Sequence, residues 1–163
     1  MTFYAGQRLT AAELRGALGL SAHKGADTAR ATTTTLTADP DLTVSVLANT
    51  VYVVRLSLPY KGAATNTGDF KFGFSVPGGS SFAGGFIGVT NPLGVYLVSV
   101  TASSTLISYS NGTGSPLWCE VSATLITSGT AGSLTLTWAQ NTSNATATTL
   151  MAGASLIAWQ ASL

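Results

Sequence analysis

Residues 132–160, GSLTLTWAQNTSNATATTLMAGASLIAWQ, contain the pattern that decides the fold class. Leu134, Leu136 and Trp138 alternate with threonines, and this period of two is typical of a strand with one buried face. A polar connection of Ser, Thr and Asn follows, and apolar residues return in the segment that ends with Trp159. The stretch therefore predicts two strands joined by a loop.

Similar segments recur from Leu42 to the end of the chain. About nine short apolar or alternating runs are separated by turn-forming breaks such as PGGSS, NGTGSP and SGTAG. Strands at this spacing, without helical patterns between them, indicate an antiparallel sandwich or barrel. We predict an all-β domain over residues 42–163, built as an antiparallel jelly-roll sandwich.

The first 19 residues differ from the rest. Thr10 and Glu13 have the spacing of a capping box, and Gly19 is a helix stop signal, so a short helix is expected between them. We predict that residues 1–19 form an N-terminal arm with this helix. A helix of about two turns is not stable alone. The arm must therefore dock, either on its own domain or on a neighbouring protein.

Residues 20–41 have no core periodicity and are predicted to be a linker or an extended segment, although TTTTLT could form an edge strand.

Charge is distributed unevenly along the chain. Of its seven Lys and Arg and six Asp and Glu residues, only Glu120 lies beyond residue 71. The C-terminal half is nearly uncharged.

Composition excludes several classes of function. The chain has 163 residues, enough for one domain, and only 8% of them are charged, against roughly 25% in an average soluble domain. A net charge of +1 provides no basic field for nucleic acid. No apolar run is long enough to span a membrane, and no signal-peptide pattern opens the sequence. We expect neither a nucleic-acid nor a membrane partner.

The residues that could carry chemistry are few. His23 is the single histidine, and Cys119, the single cysteine, lies in phase with core residues of its strand. Asp39 and Asp41 could bind a cation weakly, but a turn is favoured. A hydrolase would need a distant acid pair such as Asp69 with Glu120. We predict no catalytic residues, no metal, no cofactor and no enzymatic activity.

Some strands are apolar on both faces and need cover on both sides. TVYVVRLSL and GVYLVSVTA have this pattern, and a loop or another subunit could provide the second cover. An outward tryptophan most often marks an interface, ahead of a place in the core or a sugar platform. We predict a homotrimer interface that includes Trp118, Tyr52, Tyr96 and Val98.

FYAGQRLTAAEL, together with the closing segment LTLTWAQNTSNATATTLMAGASLIAWQ, resembles small virion proteins of tailed bacteriophages, notably those of actinobacterial hosts. The Ser/Thr/Gly-rich domain also resembles the trimeric TNF/C1q-like jelly rolls. The resemblance covers the arm and the last thirty or so residues best. It implies a structural role on a virion and transfers no active-site residues.

We therefore expect a trimeric capsid decoration protein, made in the host cytoplasm and located at the particle surface. The chain has no coiled-coil or repeated segment of the kind that lengthens a fibre. Its arm would hold the major capsid protein or another virion protein through Phe3, Tyr4, Arg8, Leu9, Leu14, Arg15 and Leu18. The alternatives are a tail-associated module, such as a minor tail or receptor-binding protein, and a lectin-like domain. The lectin-like domain would bind a host-surface glycan through Trp118, Tyr60 or Tyr109.

Overall fold

The computed structural model describes residues 19–62, 69–90, 94–110 and 114–161, together with Gly6, Arg8 and Thr10. Within these ranges the secondary structure consists of twelve strands and no helix. The strands are β1 (Leu20–His23), β2 (Thr28–Arg30), β3 (Thr37–Val46), β4 (Val51–Lys61), β5 (Phe70–Ser75), β6 (Ser81–Thr90), β7 (Gly94–Thr101), β8 (Leu106–Ser108), β9 (Leu117–Ile126), β10 (Gly132–Gln140), β11 (Thr148–Leu150) and β12 (Ser155–Gln160).

The strands form two antiparallel sheets. The large sheet has eight strands, in the order β1-β12-β4-β9-β6-β7, with β11 paired to both β4 and β2. The small sheet has four, in the order β3-β10-β5-β8. The chain changes sheet at most of its connections, so strands that are neighbours in a sheet are far apart in sequence. The predicted all-β antiparallel sandwich is confirmed.

Aromatic side chains fill the space between the sheets. Phe72 of the small sheet meets Phe86 of the large sheet edge to face, with ring centroids 5.1 Å apart, and Phe74 meets Phe82 at 4.7 Å. Tilted and edge-to-face contacts of this kind stabilise a core beyond the area that they bury. The alternation that predicted the core is confirmed, since Leu134, Leu136 and Trp138 are fully buried, as is Cys119.

The sandwich begins earlier than the predicted domain boundary at Leu42. Residues 20–41, predicted to be a linker or an extended segment, contribute β1, β2 and the start of β3. Strand β1 pairs with β12 from Leu20↔Ala158 to His23↔Ser155. Pairing with the C-terminal strand provides hydrogen-bond partners for the backbone N–H and C=O groups of β1, although the sequence of this segment has no core periodicity. The helix predicted within residues 1–19 lies outside the described residues.

The Asp39–Pro40–Asp41 segment lies inside β3 and not in the predicted turn. Thr43 pairs with Thr135 and Ala38 with Thr137, so several residues of β3 stand opposite Leu136 alone. Extra residues of this kind bend a strand and aim side chains away from the regular ladder. The bulge turns the Asp39 side chain into the interior, where it is 1% exposed.

Gly84 of β6 lies against the backbone of β9. A Cβ atom at this position would overlap the carbonyl oxygen of Ser122 and the Cα of Ala123, whereas a Cβ at Gly85 would meet nothing within 4 Å. Strand β6 therefore approaches β9 as closely as it does only because residue 84 has no side chain.

We predict that Gly84→Ala lowers the free energy of unfolding by about 1–3 kcal/mol, because backbone atoms must move to admit the methyl group. Gly85→Ala is the matched control and should change it by no more than about 0.5 kcal/mol. Chemical denaturation of both variants measures the difference. Equal stabilities would contradict the close approach of β6 to β9.

Candidate interaction surface

Exposed apolar side chains are concentrated on the side of the large sheet that is turned away from the small sheet, here called the outer face. Leu97 and Val95 of β7 are 76% and 75% exposed, and Trp118 of β9 is 58% exposed. The other large exposed apolar side chains on this face are Val53, Ile87, Ile126 and Trp159. Isolated exposed apolar residues are common, but a set on one sheet face is a candidate interaction surface.

Strand register divides these residues into two clusters. At one end of the sheet, Ile87 pairs with Leu97 and Val89 pairs with Val95. Glu120 pairs with Ile87, which places Trp118, two residues earlier in β9, at the same end. We call this group the Trp118 cluster. It spans β9, β6 and β7, and it includes the side chains with the largest exposed fractions on the outer face.

The second group, the Trp159 cluster, lies at the other end of the face. Trp159 pairs with Val53, and Ile126 pairs with Val51. The indole of Trp159 also lies against Gly19, whose φ of +76° suits a glycine. The chain therefore enters the sandwich from residues 1–18 beside this cluster.

A polar band separates the two clusters. Arg55 pairs with Ser122, and Ser57 pairs with Glu120, across the central strands β4 and β9. The side chains of Arg55 and Glu120 are exposed. The outer face thus has two apolar ends and a narrow charged band between them.

The four predicted interface residues do not all lie on the same face in the structure. Trp118 is on the outer face, and Val98 is exposed on the other side of β7. Tyr52 is buried in the core, where its hydroxyl accepts a hydrogen bond from the amide of Leu47, and it is therefore removed from the predicted interface. Alternation along β4 turns Tyr52 inward, and its ring fills the space between the sheets.

Tyr96 also turns towards the interior. Its ring meets Phe86 edge to face at 5.5 Å, and its hydroxyl donates to the carbonyl oxygen of Ile107. Burial raises the pKa of Tyr96 to about 12. The side chain is half-buried, so its main contacts are within the chain.

The candidates for chemistry are separated in space. Asp69 is buried beside the small sheet and accepts a hydrogen bond from the amide of Ser110 at 2.8 Å, whereas Glu120 points outward from the large sheet. Burial raises the pKa of the Cys119 thiol. His23 is exposed. Within the described ranges there is no group of three or more His, Cys, Asp or Glu side chains that could hold a metal ion.

Of the aromatics considered for sugar binding, Tyr60 is unavailable. Its ring stacks on Phe70 in the core, and its hydroxyl donates to Ser108 Oγ at 2.9 Å. Tyr109 is half-buried, so Trp118 is the exposed ring of the three.

A buried ionic cluster was not predicted. Lys24, just after β1, is fully buried, and its ammonium group lies 3.1 Å from Asp39 Oδ2 and 2.8 Å from Asp41 Oδ2. The indole Nε1 of Trp138 donates to Asp39 Oδ2 at 2.9 Å. The cation that the two carboxylates bind is therefore a lysine of the same chain. The pair Asp39 and Asp41 is visible in the sequence as a possible cation site. No pattern around Lys24 indicates that this lysine is the cation.

Several contacts hold this cluster in place. The amides of Asp41 and Leu42 donate to Asp39 Oδ1 at 3.0 and 3.1 Å. Burial acts to raise the pKa of Asp39, but hydrogen bonds from Trp138 and Lys24, with the charge of Lys24, bring it below its ordinary value. Arg30 covers the other side, with its guanidinium carbon 4.1 Å from the centre of the Trp138 ring.

Comparison with known proteins gave a likeness to solved structures only at low similarity. No protein-family model and no curated protein sequence matches the chain. Among solved structures, a chain from "Structure of infectious bursal disease virus Gt strain" is similar, with a TM-score of 0.20 and 7% identity, over 86% of this chain and 40% of that chain. The chain thus spans less than half the length of that viral chain. At this TM-score the likeness carries no argument about fold or function.

No helix long and apolar enough to cross a membrane is found in the part of the chain that the structure describes.

We predict that Asp69→Asn changes the pH dependence of stability. Burial raises the pKa of Asp69 above its ordinary value of 3.8, so its contribution to stability is full at lower pH and is lost as pH rises through the folded-state pKa. The asparagine of the variant cannot ionise. As pH rises through the folded-state pKa of Asp69, the unfolding free energy of the variant should therefore increase relative to that of the wild type. Denaturation at a series of pH values measures the difference. Glu120→Gln, which removes an exposed carboxylate, should not reproduce it.

Proposed function

We propose that this protein is a non-enzymatic structural protein of a bacteriophage virion. In this proposal it is a capsid decoration protein that forms a homotrimer through the outer face and attaches to the particle by its N-terminal arm. The observation that carries the proposal is the outer face itself, with two apolar clusters in a chain that has only 8% charged residues. Such a face needs a partner, and a second and third copy of the same chain supply one.

The strand order supports a jelly roll of the kind found in trimeric TNF/C1q-like proteins. Without the β6–β7 hairpin and the short strands β2 and β11, the large sheet reads β1-β12-β4-β9 and lies against β3-β10-β5-β8. Eight strands in two four-stranded sheets are what a jelly roll requires. Successive strands of this set lie in opposite sheets, except β5 and β8, which pair with each other in the small sheet. The sequence of the arm and of the closing segment, which contains β10 and β12, resembles phage virion proteins and supports the structural role.

The contacts of the titratable side chains support a structural role. Cys119 is buried, and Asp69 and Lys24 lie in the interior with hydrogen-bond partners of their own. Groups held in this way contact other parts of the same chain and are not free to act as acid, base or nucleophile on a bound substrate. Such packing is consistent with a structural component of a particle.

The position of Gly19 supports the proposed attachment. The chain leaves the sandwich beside the Trp159 cluster, at one end of the outer face. An arm that starts there can extend from a trimer without crossing the sandwich. Its aromatics Phe3 and Tyr4, its leucines and the cations Arg8 and Arg15 provide the apolar and charged contacts for the major capsid protein or a neighbouring decoration subunit.

We predict that Leu97→Lys weakens or abolishes the trimer without unfolding the chain. Leu97 is 76% exposed, so the monomer loses little when it becomes charged, whereas a copy packed against it would have to bury that charge. Light scattering should give three times the 16.5 kDa of one chain for the wild type and a lower mass for the variant. Ser45→Lys, on the exposed side of the small sheet, is the matched control and should remain a trimer. A wild type that is monomeric at micromolar concentration would contradict the trimer.

We predict that removing residues 1–18 abolishes binding to particles while leaving the trimer folded, because the arm holds the shell and the sandwich holds the trimer. Particles that lack this protein are mixed with the full-length or the shortened chain, and co-sedimentation measures binding. Circular dichroism and light scattering of the shortened chain are the controls. Normal decoration by the shortened chain would show that the anchor lies elsewhere.

A further inference from the structure

Lys24, Asp39 and Asp41 form an ionic cluster in which an amine contacts two carboxyl groups. Lys24 is fully buried and Asp39 is 1% exposed, so both partners of the ion pair are out of water. Removing two charges from water costs several kcal/mol for each ion, and their mutual attraction does not always offset this. A buried ion pair is therefore weak support for stability by itself. Joining the two groups covalently would remove both charges.

We propose that Lys24 and Asp39 form an intramolecular isopeptide bond, with Asp41 as the carboxylate that transfers the protons. This inference rests on the interior of the sandwich and is independent of the function proposed for the outer face. The product is an amide between Lys24 Nζ and Asp39 Cγ, which is a modification of the chain by itself.

The nucleophile is held against the carboxyl group that it would attack. Lys24 Nζ lies 3.3 Å from Asp39 Oδ1 and 3.1 Å from Oδ2, so it touches both oxygens of the same carboxyl group. The backbone of Lys24 is fixed on both sides, since its amide donates to Ala154 and its carbonyl accepts from Gly153, each at 2.9 Å. Reacting groups held at contact distance need little further ordering to reach the transition state.

The two oxygens of Asp39 have different partners, which suits their different fates in an addition–elimination reaction. Two backbone amides, those of Asp41 and Leu42, donate to Oδ1. They can stabilise the negative charge that develops on this oxygen when nitrogen adds to the carbon. Oδ2 accepts from the indole of Trp138 and is the oxygen that leaves.

Asp41 is the third group that the reaction needs. Its Oδ2 lies 2.8 Å from Lys24 Nζ, and its side chain is 42% exposed, so it contacts both the amine and solvent. It can take a proton from the ammonium, which frees the lone pair for attack, and then deliver protons to the departing oxygen. Solvent beside Asp41 receives the water that is released.

The reaction balances without any further reagent. The ammonium of Lys24 gives up two protons, and the carboxylate of Asp39 gives up Oδ2, which leaves with those protons as one water molecule. One C–N bond forms and one C–O bond breaks, and nothing is oxidised or reduced. An ammonium and a carboxylate become one neutral amide, so the net charge of the chain does not change.

The bond would connect the two sheets close to the proposed attachment point. Lys24 follows β1 of the large sheet, and Asp39 lies in β3 of the small sheet. Residues 1–19 are joined to the sandwich through β1. A force applied to the arm would then be carried by a covalent link and not by the four residue pairs of β1 with β12 alone.

The test is the intact mass of the folded full-length protein, measured by mass spectrometry after denaturation. The mass should be lower than that of the sequence by one water molecule. Digestion should give a branched peptide that joins the segment containing Lys24 to the segment containing Asp39. If the protein still has its full sequence mass after prolonged incubation in the folded state, and no branched peptide is found, the proposal is overturned.

Two variants test the role of each group. Lys24→Arg keeps the positive charge but has no amine that can form this amide, so it should have its full sequence mass. Asp41→Asn keeps the size of the side chain but cannot accept the proton, so bond formation should slow at least tenfold in a time course of the mass. Loss of water at the wild-type rate in Lys24→Arg would place the reaction elsewhere in the chain. An unchanged rate in Asp41→Asn would remove Asp41 from the mechanism.

Discussion

The Asp39 carboxyl group joins parts of the chain that are far apart in sequence. It contacts the ammonium of Lys24 beside the large sheet, the indole of Trp138 in the small sheet, and the amides of its own bulge in β3. Burial of the Asp39 carboxylate depends on these donors together, because a buried carboxylate without hydrogen-bond donors would be strongly destabilising. The interaction therefore ties the N-terminal strand to the small sheet and determines the local path of β3.

Each sheet buries only one of its two faces, the face that meets the other sheet. Aromatic rings from both sheets meet in a single core, and the regular alternation of β4 and β9 sends every second side chain to the opposite side. On the small sheet these outward residues are mostly polar, as at Thr43 and Ser45. On the large sheet they include Trp118, Leu97 and Trp159. The two faces of the molecule thus differ in chemistry, and the outer face is the one for which the proposed assembly provides a partner.

The interior and the surface of the sandwich have separate roles. The interior holds its titratable groups in hydrogen bonds, and the proposed amide between Lys24 and Asp39 would complete that organisation with a covalent link. The outer face contributes shape and apolar area, and the arm contributes attachment. Because these parts lie in different regions of the chain, a substitution in one can be examined without removing another. Leu97, for example, is on an exposed strand of the large sheet, whereas Lys24 is in the interior.

Alternation along single strands was enough to predict the all-β class and most of the core. The side chains of Leu134, Leu136, Trp138 and Cys119 are all buried as their spacing indicated. The outward position of Trp118 followed from the same rule. Local pattern is sufficient in these cases because the direction of a side chain from a strand depends only on its position along that strand.

Tertiary structure alone decided the remaining features. The sequence near Lys24 resembles a solvated loop, and its burial depends on Asp39 and Asp41, which reach it through a bulge opposite Leu136. In the same way, Tyr52 was assigned to an interface although it is in the core, since alternation separates the two faces of a strand without showing which one meets the other sheet. Residues 20–41 form strands because the distant strands β11 and β12 supply their hydrogen-bond partners. The sequence by itself thus determined which side chains share a face, while contacts between distant segments decided which face is buried and which charges meet inside.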